Sequence, residues 1–259
     1  MSVKIHPTAI VSENASLSSG VEVGPFSVIE DNVKVGENTV IGPHCLITGL
    51  TSIGKDCRIY KGAVLGSPPQ DLKFKLKTRS YVEIGDANTI REFVTVNPGT
   101  DGGTKTVIGN SNLIMAYSHV AHNCSVGSHC ILANAATLAG HVTIEDRAVV
   151  GGLVAIHQFC RLGRLSIVGG CSKVVQDIPP FTMADGHPAK IKSLNLVGLR
   201  RFGLDRNAIQ LLKKALKILF FENHTLARAS ELVKSQFSGD PQIEYLLAFL
   251  KSSSRGLAR

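Results

Sequence analysis

The sequence has few of the features that mark membrane, secreted or nucleic-acid-binding proteins. Its 259 residues contain no apolar run of 18 or more, so no membrane span is predicted. The N-terminal residues lack the apolar core and small-residue cleavage site of a signal peptide, and we therefore expect a cytoplasmic protein. Six cysteines occur without any Cys-x-x-Cys spacing, which favours free thiols over disulfides. Aromatic residues make up only 5% and no recognition motif accompanies them, so no nucleic-acid partner is expected.

The net charge of +8 is confined to the C-terminal quarter of the chain. Residues 1–189 contain 15 basic and 15 acidic residues, whereas residues 190–259 contain 13 basic and 5 acidic residues. A basic surface attracts acidic partners, whether nucleic acid, anionic membrane or acidic protein. Charge alone does not choose among these partners.

Aliphatic residues recur at every sixth position through most of the chain. The pattern is unbroken from Ile5 to Leu65 and again from Ile108 to Val174. The residue four positions after each aliphatic is usually small or β-branched, and the residue directly after it is often glycine. Such hexapeptide repeats predict a parallel β-helix, in which three units close a triangular coil of eighteen residues and coils stack about 4.8 Å apart.

The same repeat predicts where the cysteines lie. Five of them fall on the small position four residues after an aliphatic, and the sixth, Cys171, lies one residue from it. These five are Cys45, Cys57, Cys124, Cys130 and Cys160. We expect all six to be small buried side chains rather than metal ligands.

Two interruptions and a change of period define the predicted organisation. Residues 66–83 and 98–107 are polar and turn-rich and must leave the coil as loops, where function is often concentrated. After Val174 a helical period takes over, so we expect a β-helix over residues 1–190 and a basic helical domain over residues 191–259. Asp205 is expected to cap a helix that ends near Glu222.

Two further helix starts are predicted in the basic region. Thr225 opens one helix, and Asp240 with Pro241 starts another that ends near Gly256. An end cap for the coil is one interpretation of this helical segment, and its charge suggests an added role.

Four of the nine histidines are predicted to share one edge of the coil. An eighteen-residue period stacks His122, Gly140 and Gln158 in a column, with His141 and His157 beside it. His119 belongs to the same group, whereas His129 lies on another part of the coil. Three interpretations remain open: a polar edge, a zinc site shared across subunits, and acid–base catalysis by an imidazole that titrates near neutrality.

Several motifs resemble one family of hexapeptide enzymes. The stretches HVAHNCSVG, LANAATLAGHV and AIHQFCRLG, with GSPPQDLKF in the first loop and RRFG before the helices, are similar to UDP-N-acetylglucosamine acyltransferases. The resemblance covers the whole chain. It implies a left-handed β-helix, a homotrimer with active sites between neighbouring subunits, and no cofactor. The implied reaction moves an (R)-3-hydroxyacyl chain from acyl carrier protein to the 3-hydroxyl of UDP-N-acetylglucosamine, the first step of lipid A biosynthesis.

The resemblance also implies roles for individual residues. His122 would be the general base, Asn123 would orient it, and the backbone N–H of Gly140 would stabilise the oxyanion. Gly170 would set the length of the acyl chain and, lacking a side chain, admit long ones. The substrate-binding residues implied in the same way are Gln70, Asp71, Lys73, His119, His141, His157, Gln158, Asn195 and Arg201. The basic C-terminal region would dock acyl carrier protein, which is acidic.

The chain departs from the family pattern at four positions. Asn123 stands where an aspartate is common, and Val197 replaces an acidic residue that helps to bind nucleotide. Phe202 and Pro98 each stand where an arginine is common. Three other functions are considered: an acyltransferase for a related amino-sugar nucleotide, a zinc-dependent hydratase, and a structural solenoid without turnover.

Overall fold

The computed structural model describes residues 2–259, and most of them belong to a triangular coil whose faces are three mainly parallel β-sheets of short strands. The first sheet comprises Lys4–Ile5, Glu22–Val23, Val40–Ile41, Arg58–Ile59, Thr89–Ile90, Leu113–Ile114, Ile131–Leu132, Val149–Val150, Ile167–Val168, Thr182–Gly186 and Ala189–Leu194. The second comprises Ile10–Val11, Val28–Ile29, Leu46–Ile47, Val64–Leu65, Thr95–Val96, His119–Val120, Thr137–Leu138, Ala155–Ile156 and Lys173–Val174. The third comprises Ser16–Leu17, Lys34–Val35, Leu50–Ile53, Tyr81–Ile84, Lys105–Ile108, Ser125–Val126, Thr143–Ile144 and Arg161–Leu162.

Strand pairing confirms the eighteen-residue coil. His119 pairs with Thr137, and Thr137 pairs with Ala155, each in a parallel register. The aliphatic residues of the repeat are buried inside the coil, as predicted, and form its core. The first coil differs, because nothing precedes it along the axis: Ile5 is 47% exposed. The hexapeptide pattern therefore predicts which side chains point inward, and stacking decides whether they are covered.

The turns between faces place non-glycine residues in a left-handed backbone conformation. At the turn that follows the second sheet, φ is 59° at Asn123, 60° at His141 and 66° at Phe159. This region of backbone space is unfavourable for most L-residues and least so for asparagine and aspartate. Asn123 is therefore well suited to the turn itself, apart from any role in chemistry.

The two loops that interrupt the repeat are shorter than expected. The third sheet has four-residue strands at Tyr81–Ile84 and Lys105–Ile108, which pair with each other and take up the last residues of both predicted loops. The side-chain amide of Asn97 donates a hydrogen bond to Ser67 O at 2.9 Å, which ties the base of the first loop to the coil.

An antiparallel hairpin connects the coil to the helices. Thr182–Gly186 and Ala189–Leu194 extend the first sheet, and the expected boundary at 190/191 falls inside the second of these strands. The helices that follow are α1 (Leu196–Phe202), α2 (Arg206–Leu216, continued by the π-helical turn Lys217–Phe221), α3 (Leu226–Phe237) and α4 (Pro241–Ser252). Within residues 2–259, none of the helices is both long enough and apolar enough to cross a bilayer.

The predicted helix caps are confirmed. Asp205 accepts from Ala208 N–H, Thr225 accepts from Arg228 N–H, and Asp240 accepts hydrogen bonds at the start of α4. The predicted end of α4 near Gly256 is wrong by four residues. Ser252 ends the helix because the chain then turns back onto the coil, where the Gly256 carbonyl accepts from Asp177 N–H at 2.8 Å.

Glu145, which directly follows a strand of the third sheet, binds residues that hold α4 against the coil. Its carboxylate accepts from Arg161 Nε at 2.6 Å and from the backbone N–H of Arg164 at 2.8 Å, and it contacts the Tyr245 hydroxyl of α4. The Arg164 guanidinium lies 4.3 Å from the centre of the Tyr245 ring. Burial, followed by the hydrogen bond to Glu145, raises the pKa of Tyr245, so its hydroxyl stays protonated and donates.

The expected burial of the cysteines is correct for five of them and wrong for Cys171. Cys45, Cys57, Cys124, Cys130 and Cys160 are buried, whereas Cys171 is exposed. Cys171 is the turn residue with left-handed backbone, φ 59°. Its side chain therefore does not point inward, as the small residue four positions after each aliphatic does.

Candidate active site

The turn between the second and third sheets carries the residues that the sequence placed in one column, and we call it the histidine edge. It comprises His122, Asn123, Gly140, His141, Gln158 and Phe159 from three successive coils. Backbone bonds hold the coils in step, since His141 N–H donates to His122 O at 3.0 Å and Phe159 N–H donates to Gly140 O at 3.2 Å. The rigid stacking of the coils thus sets the spacing of these side chains.

The imidazole of His122 has a defined orientation. Its Nδ1 lies 3.0 Å from Asn123 Oδ1, and the same oxygen accepts from the backbone N–H of Thr100 at 3.1 Å. A backbone N–H can only donate, so the atom of Asn123 that it meets is the carbonyl oxygen and not the amide nitrogen. Nδ1 of His122 must therefore carry the proton, which leaves the lone pair on Nε2. Asparagine holds the tautomer that a general base needs, although it supplies no negative charge.

Gly140 lies directly against the His122 ring. A Cβ at this position would lie 2.3 Å from Cε1 and 2.5 Å from Nε2 of His122, so only glycine leaves the ring where it is. The backbone N–H of Gly140 donates no hydrogen bond to any group within residues 2–259. The His122 ring, which carries the lone pair, and Gly140, which carries the unused N–H donor, are thus neighbours at the histidine edge.

The neighbouring histidines are held as neutral rings. Burial, and then the nearby His122, lower the pKa of His119, whose Nδ1 lies 2.6 Å from Thr95 Oγ1. Burial and His122 also lower the pKa of His141, against a smaller opposite effect of Asp101. The His141 ring meets His122 edge-on at 5.2 Å and stacks on Phe159 at 4.7 Å.

The polar residues of the first loop make local contacts and are largely exposed. Asp71 Oδ1 accepts from Lys73 N–H at 2.8 Å, a local turn contact, and Gln70 and Lys73 are exposed. In the part of the chain that the structure describes, no hydrogen bond or ring contact joins Gln70, Asp71 or Lys73 to the histidine edge.

Asn195 is buried and serves first as a helix cap. Its Oδ1 accepts from Gly198 N–H at 3.0 Å, and its Nδ2 donates to Leu165 O at 2.9 Å. One amide hydrogen remains for another contact. Arg201 is exposed in the last turn of α1.

The position predicted to measure the acyl chain, Gly170, lies on the edge that follows the first sheet. Within residues 2–259, a Cβ there would meet only the backbone of Gly152, with its carbonyl oxygen at 3.3 Å, and no side chain. Gly170 and His122 are therefore on different edges, with the second sheet between them. Small side chains occur along this face, where Ala155 belongs to a strand of the second sheet and Ala121 and Ala139 directly follow its strands.

The cysteines near the histidine edge are poor nucleophiles. Burial raises the pKa of Cys124 to about 12 and that of Cys160 to about 11, so neither forms a thiolate near neutral pH. Within residues 2–259 of a single chain, no three His, Cys, Asp or Glu side chains lie close enough together to hold a metal ion.

Comparison with known proteins assigns the chain to a family. Residues 177–258 match the family described as UDP N-acetylglucosamine O-acyltransferase, domain 2, and residues 14–49 and 105–140 match bacterial transferase hexapeptide repeats. The chain is 47% identical over 98% of its length to a protein of Gloeothece citriformis named acyl-[acyl-carrier-protein]--UDP-N-acetylglucosamine O-acyltransferase, covering 91% of it. The chain belongs to the UDP-N-acetylglucosamine O-acyltransferase family.

Other members of this family agree in sequence and in structure. The protein of that name from Verminephrobacter eiseniae is 49% identical, with 98% of this chain and 99% of the relative covered. The structure of the Francisella novicida UDP-N-acetylglucosamine acyltransferase superposes with a TM-score of 0.95 at 36% identity, covering 98% of this chain and 94% of the other. That of Moraxella catarrhalis gives a TM-score of 0.93 at 38% identity, covering 98% and 99%.

Three residues at or beside the histidine edge were not anticipated from sequence. Thr100 fixes the Asn123 amide, Thr95 binds His119, and Phe159 supports His141. Thr100 lies in the second predicted loop, so its polar setting was a signal of function, but nothing in the sequence indicated its partner. Phe202, which departs from the family pattern, lies under the Arg147 guanidinium at 5.1 Å.

Proposed function

We propose that this chain transfers an (R)-3-hydroxyacyl group from acyl carrier protein to the 3-hydroxyl of UDP-N-acetylglucosamine, as the first step of lipid A biosynthesis. Family membership supports the reaction, and the close contact between the His122 ring and Gly140, whose N–H is unused within residues 2–259, is the observation that carries it. Acyl transfer to a hydroxyl needs a base for the attacking oxygen and a donor for the oxyanion. No step requires an acyl-enzyme.

The proposed mechanism has two proton transfers through one ring. Nε2 of His122 removes the proton of the sugar hydroxyl as its oxygen attacks the thioester carbonyl, and the Gly140 N–H stabilises the oxyanion of the tetrahedral intermediate. The intermediate then expels the carrier-protein thiolate, which takes the proton from the His122 imidazolium. Asn123 and Thr100 keep Nδ1–H in place throughout.

We further propose that the working site lies between subunits of a homotrimer. Gln70, Asp71 and Lys73 make no hydrogen bond to the histidine edge within residues 2–259 of one chain, and in this arrangement a neighbouring copy would supply them. Lys73 would then act as a point charge on the diphosphate. His119, His141, His157 and Gln158 would line the sugar side, and Asn195 and Arg201 would contact the uridine diphosphate.

The proposed path of the acyl chain crosses the second sheet. It starts at His122, passes the small residues of that face and ends beside Gly170. One face is six residues wide, or about 18–20 Å in extended backbone, which accommodates a long chain. The absence of a side chain at Gly170 favours longer 3-hydroxyacyl groups.

Acyl carrier protein is the proposed partner of the helical region. One groove beside α2 and its π-helical turn is bordered by Lys192, Lys213, Lys214 and Lys217. Arg206 adds a positive charge at the start of α2. This positive surface fits an acidic carrier protein and would speed its encounter.

We also infer the left hand of the coil from the similarity to solved acyltransferases. We further infer a functional division between residues 1–190 and 191–259, and a cytoplasmic location, where nucleotide sugars and carrier-protein thioesters are found.

The direct test is acylation by purified protein in the presence of a chelator. UDP-N-acetylglucosamine would be incubated with a series of 3-hydroxyacyl carrier-protein thioesters, and product mass followed for wild type and His122→Ala. We expect acylated nucleotide from wild type and a loss of about 10²- to 10⁴-fold in the variant. Product only with a 3-amino sugar would replace the proposed acceptor, and equal rates for both proteins would remove His122 from the mechanism.

A further inference from the structure

The chain after α4 folds back onto the last coil and is anchored at Asp177. The carbonyl of Asp177 accepts from Ala258 N–H at 3.0 Å, and its Oδ2 accepts from the Ser253 hydroxyl at 2.7 Å. Asp177 is only 2% exposed, and its Oδ1 also accepts from Arg161 N–H at 2.8 Å. This anchor therefore holds residues 253–258 in one place.

A second set of contacts holds residues 257–259 in place. Arg259 Nη2 donates to Leu219 O at 2.7 Å, and the side chains of Leu257 and Ala258 are buried. Arg255 lies between Ser253, which binds Asp177, and the buried residues Leu257 and Ala258, and its guanidinium is directed to the coil. The packing of residues 253–259 against the coil therefore sets the position of Arg255.

The guanidinium of Arg255 meets His157. Nη2 lies 3.2 Å from His157 Nδ1 and 3.5 Å from Val175 O. Guanidinium groups have donors and no acceptor, so this contact requires a lone pair on Nδ1 and places the imidazole proton on Nε2. The carbonyl of Gln158 lies 3.1 Å from the same Nδ1, and a hydrogen bond to it requires the opposite tautomer. The two neighbours compete for one nitrogen.

We propose that Arg255 is a positioning residue that keeps His157 in the tautomer with its proton on Nε2. In this tautomer Nε2 presents a donor to oxygen atoms of the nucleotide sugar, such as phosphate or hydroxyl oxygens. Without Arg255, the Gln158 carbonyl draws the proton to Nδ1, and Nε2 becomes an acceptor that repels those oxygens. The inference rests on the proposed function, in which His157 contacts substrate.

The tautomer is measured on the full-length protein by ¹⁵N NMR of labelled histidines, with the His157 signals assigned from His157→Gln. We expect wild type to show a protonated Nε2, and Arg255→Ala to show a protonated Nδ1. Arg255→Lys, which retains a cationic donor, should partly restore the wild-type signal. Arg228→Ala is the matched control, because Arg228 also carries one charge but is exposed on α3, where its side chain pairs with Glu231 at 3.4 Å.

Kinetics supply the second readout. We expect Arg255→Ala to raise KM for UDP-N-acetylglucosamine by about 5- to 10-fold, the effect of one lost hydrogen bond, with kcat within about twofold. In a His157→Ala background the same substitution should add less than about twofold, because its effect passes through His157. Additive effects, or a fall in kcat and melting temperature with unchanged KM, would show a structural role and overturn the inference.

The two hypotheses fail in different ways. If wild type gives no acylated nucleotide, the proposed function is wrong, and the NMR signals still decide whether Arg255 sets the tautomer. If wild type turns over but His157 already carries its proton on Nδ1, or Arg255→Ala leaves the tautomer unchanged, the inference is wrong and the proposed function stands.

Discussion

Replacing Gly140 by alanine tests the geometry of the site most directly. A Cβ at residue 140 would lie 2.3 Å from Cε1 of His122, whereas non-bonded carbons rest about 3.5–4.0 Å apart. The ring must therefore move by about 1.2 Å or more. Its Nδ1 is 3.0 Å from Asn123 Oδ1, and a displacement of the ring by that amount away from Asn123 exceeds the usual limit of about 3.2 Å and breaks the bond that sets the tautomer.

The expected consequence is a selective loss of activity. A displaced general base costs about 10²- to 10⁴-fold, so we expect kcat/KM of Gly140→Ala to fall by at least about 100-fold. The half-buried ring can swing outward and Gly140 is not in the left-handed region, so the free energy of unfolding should change by no more than about 1 kcal/mol.

The assay combines product mass spectrometry with calorimetric melting. Gly152→Ala is the matched control for stability, because Gly152 occupies the same position in another turn. A Cβ added there would have the Asn134 carbonyl oxygen as its nearest neighbour, at 3.3 Å, and would displace no side chain of the described residues. A Gly140→Ala protein with wild-type activity would refute the reasoning, because the ring could not then be held against residue 140. Loss of cooperative melting would refute the claim that the ring moves aside at low cost.

Three further predictions follow from the same contacts. Asn123→Ala should lower kcat by about 10-fold or more with little change in KM, as measured by steady-state kinetics, because Nδ1 of His122 loses its acceptor; an unchanged kcat would contradict that role. Gly170→Met should shift acyl selectivity toward shorter chains in competition assays, and unchanged selectivity would remove it from the acyl path. His119 and His141 have lowered pKa values, so the unfolded chain, with histidine pKa near about 6.5, binds protons first as pH falls. Stability should therefore decrease from about pH 7.5 down to the folded-state pKa values and then level off, and His119→Gln should reduce that slope in denaturant titrations; an identical slope would refute the assignment.

Much of the coil was predictable because its information is local and periodic. Each aliphatic residue of the repeat indicates which side chain points inward, and the eighteen-residue period alone stacks Gly140 over His122. Cys171 shows the limit of this reasoning, because one residue of offset moves a side chain from the interior to an exposed turn. The end of α4 was misplaced for another reason: the residues after Ser252 pair with Asp177, which is distant in sequence.

The sequence by itself determined the β-helix, its core and the column of polar residues on one edge, since a six-residue repeat imposes its geometry on every coil. Tertiary structure alone decided which partners those residues meet. The Asn123 amide is oriented by Thr100, which returns from a loop of no fixed period, and His157 meets Arg255, which is 98 residues away along the chain. Contacts of this kind depend on the paths of loops and termini, and those paths follow from packing against the finished coil.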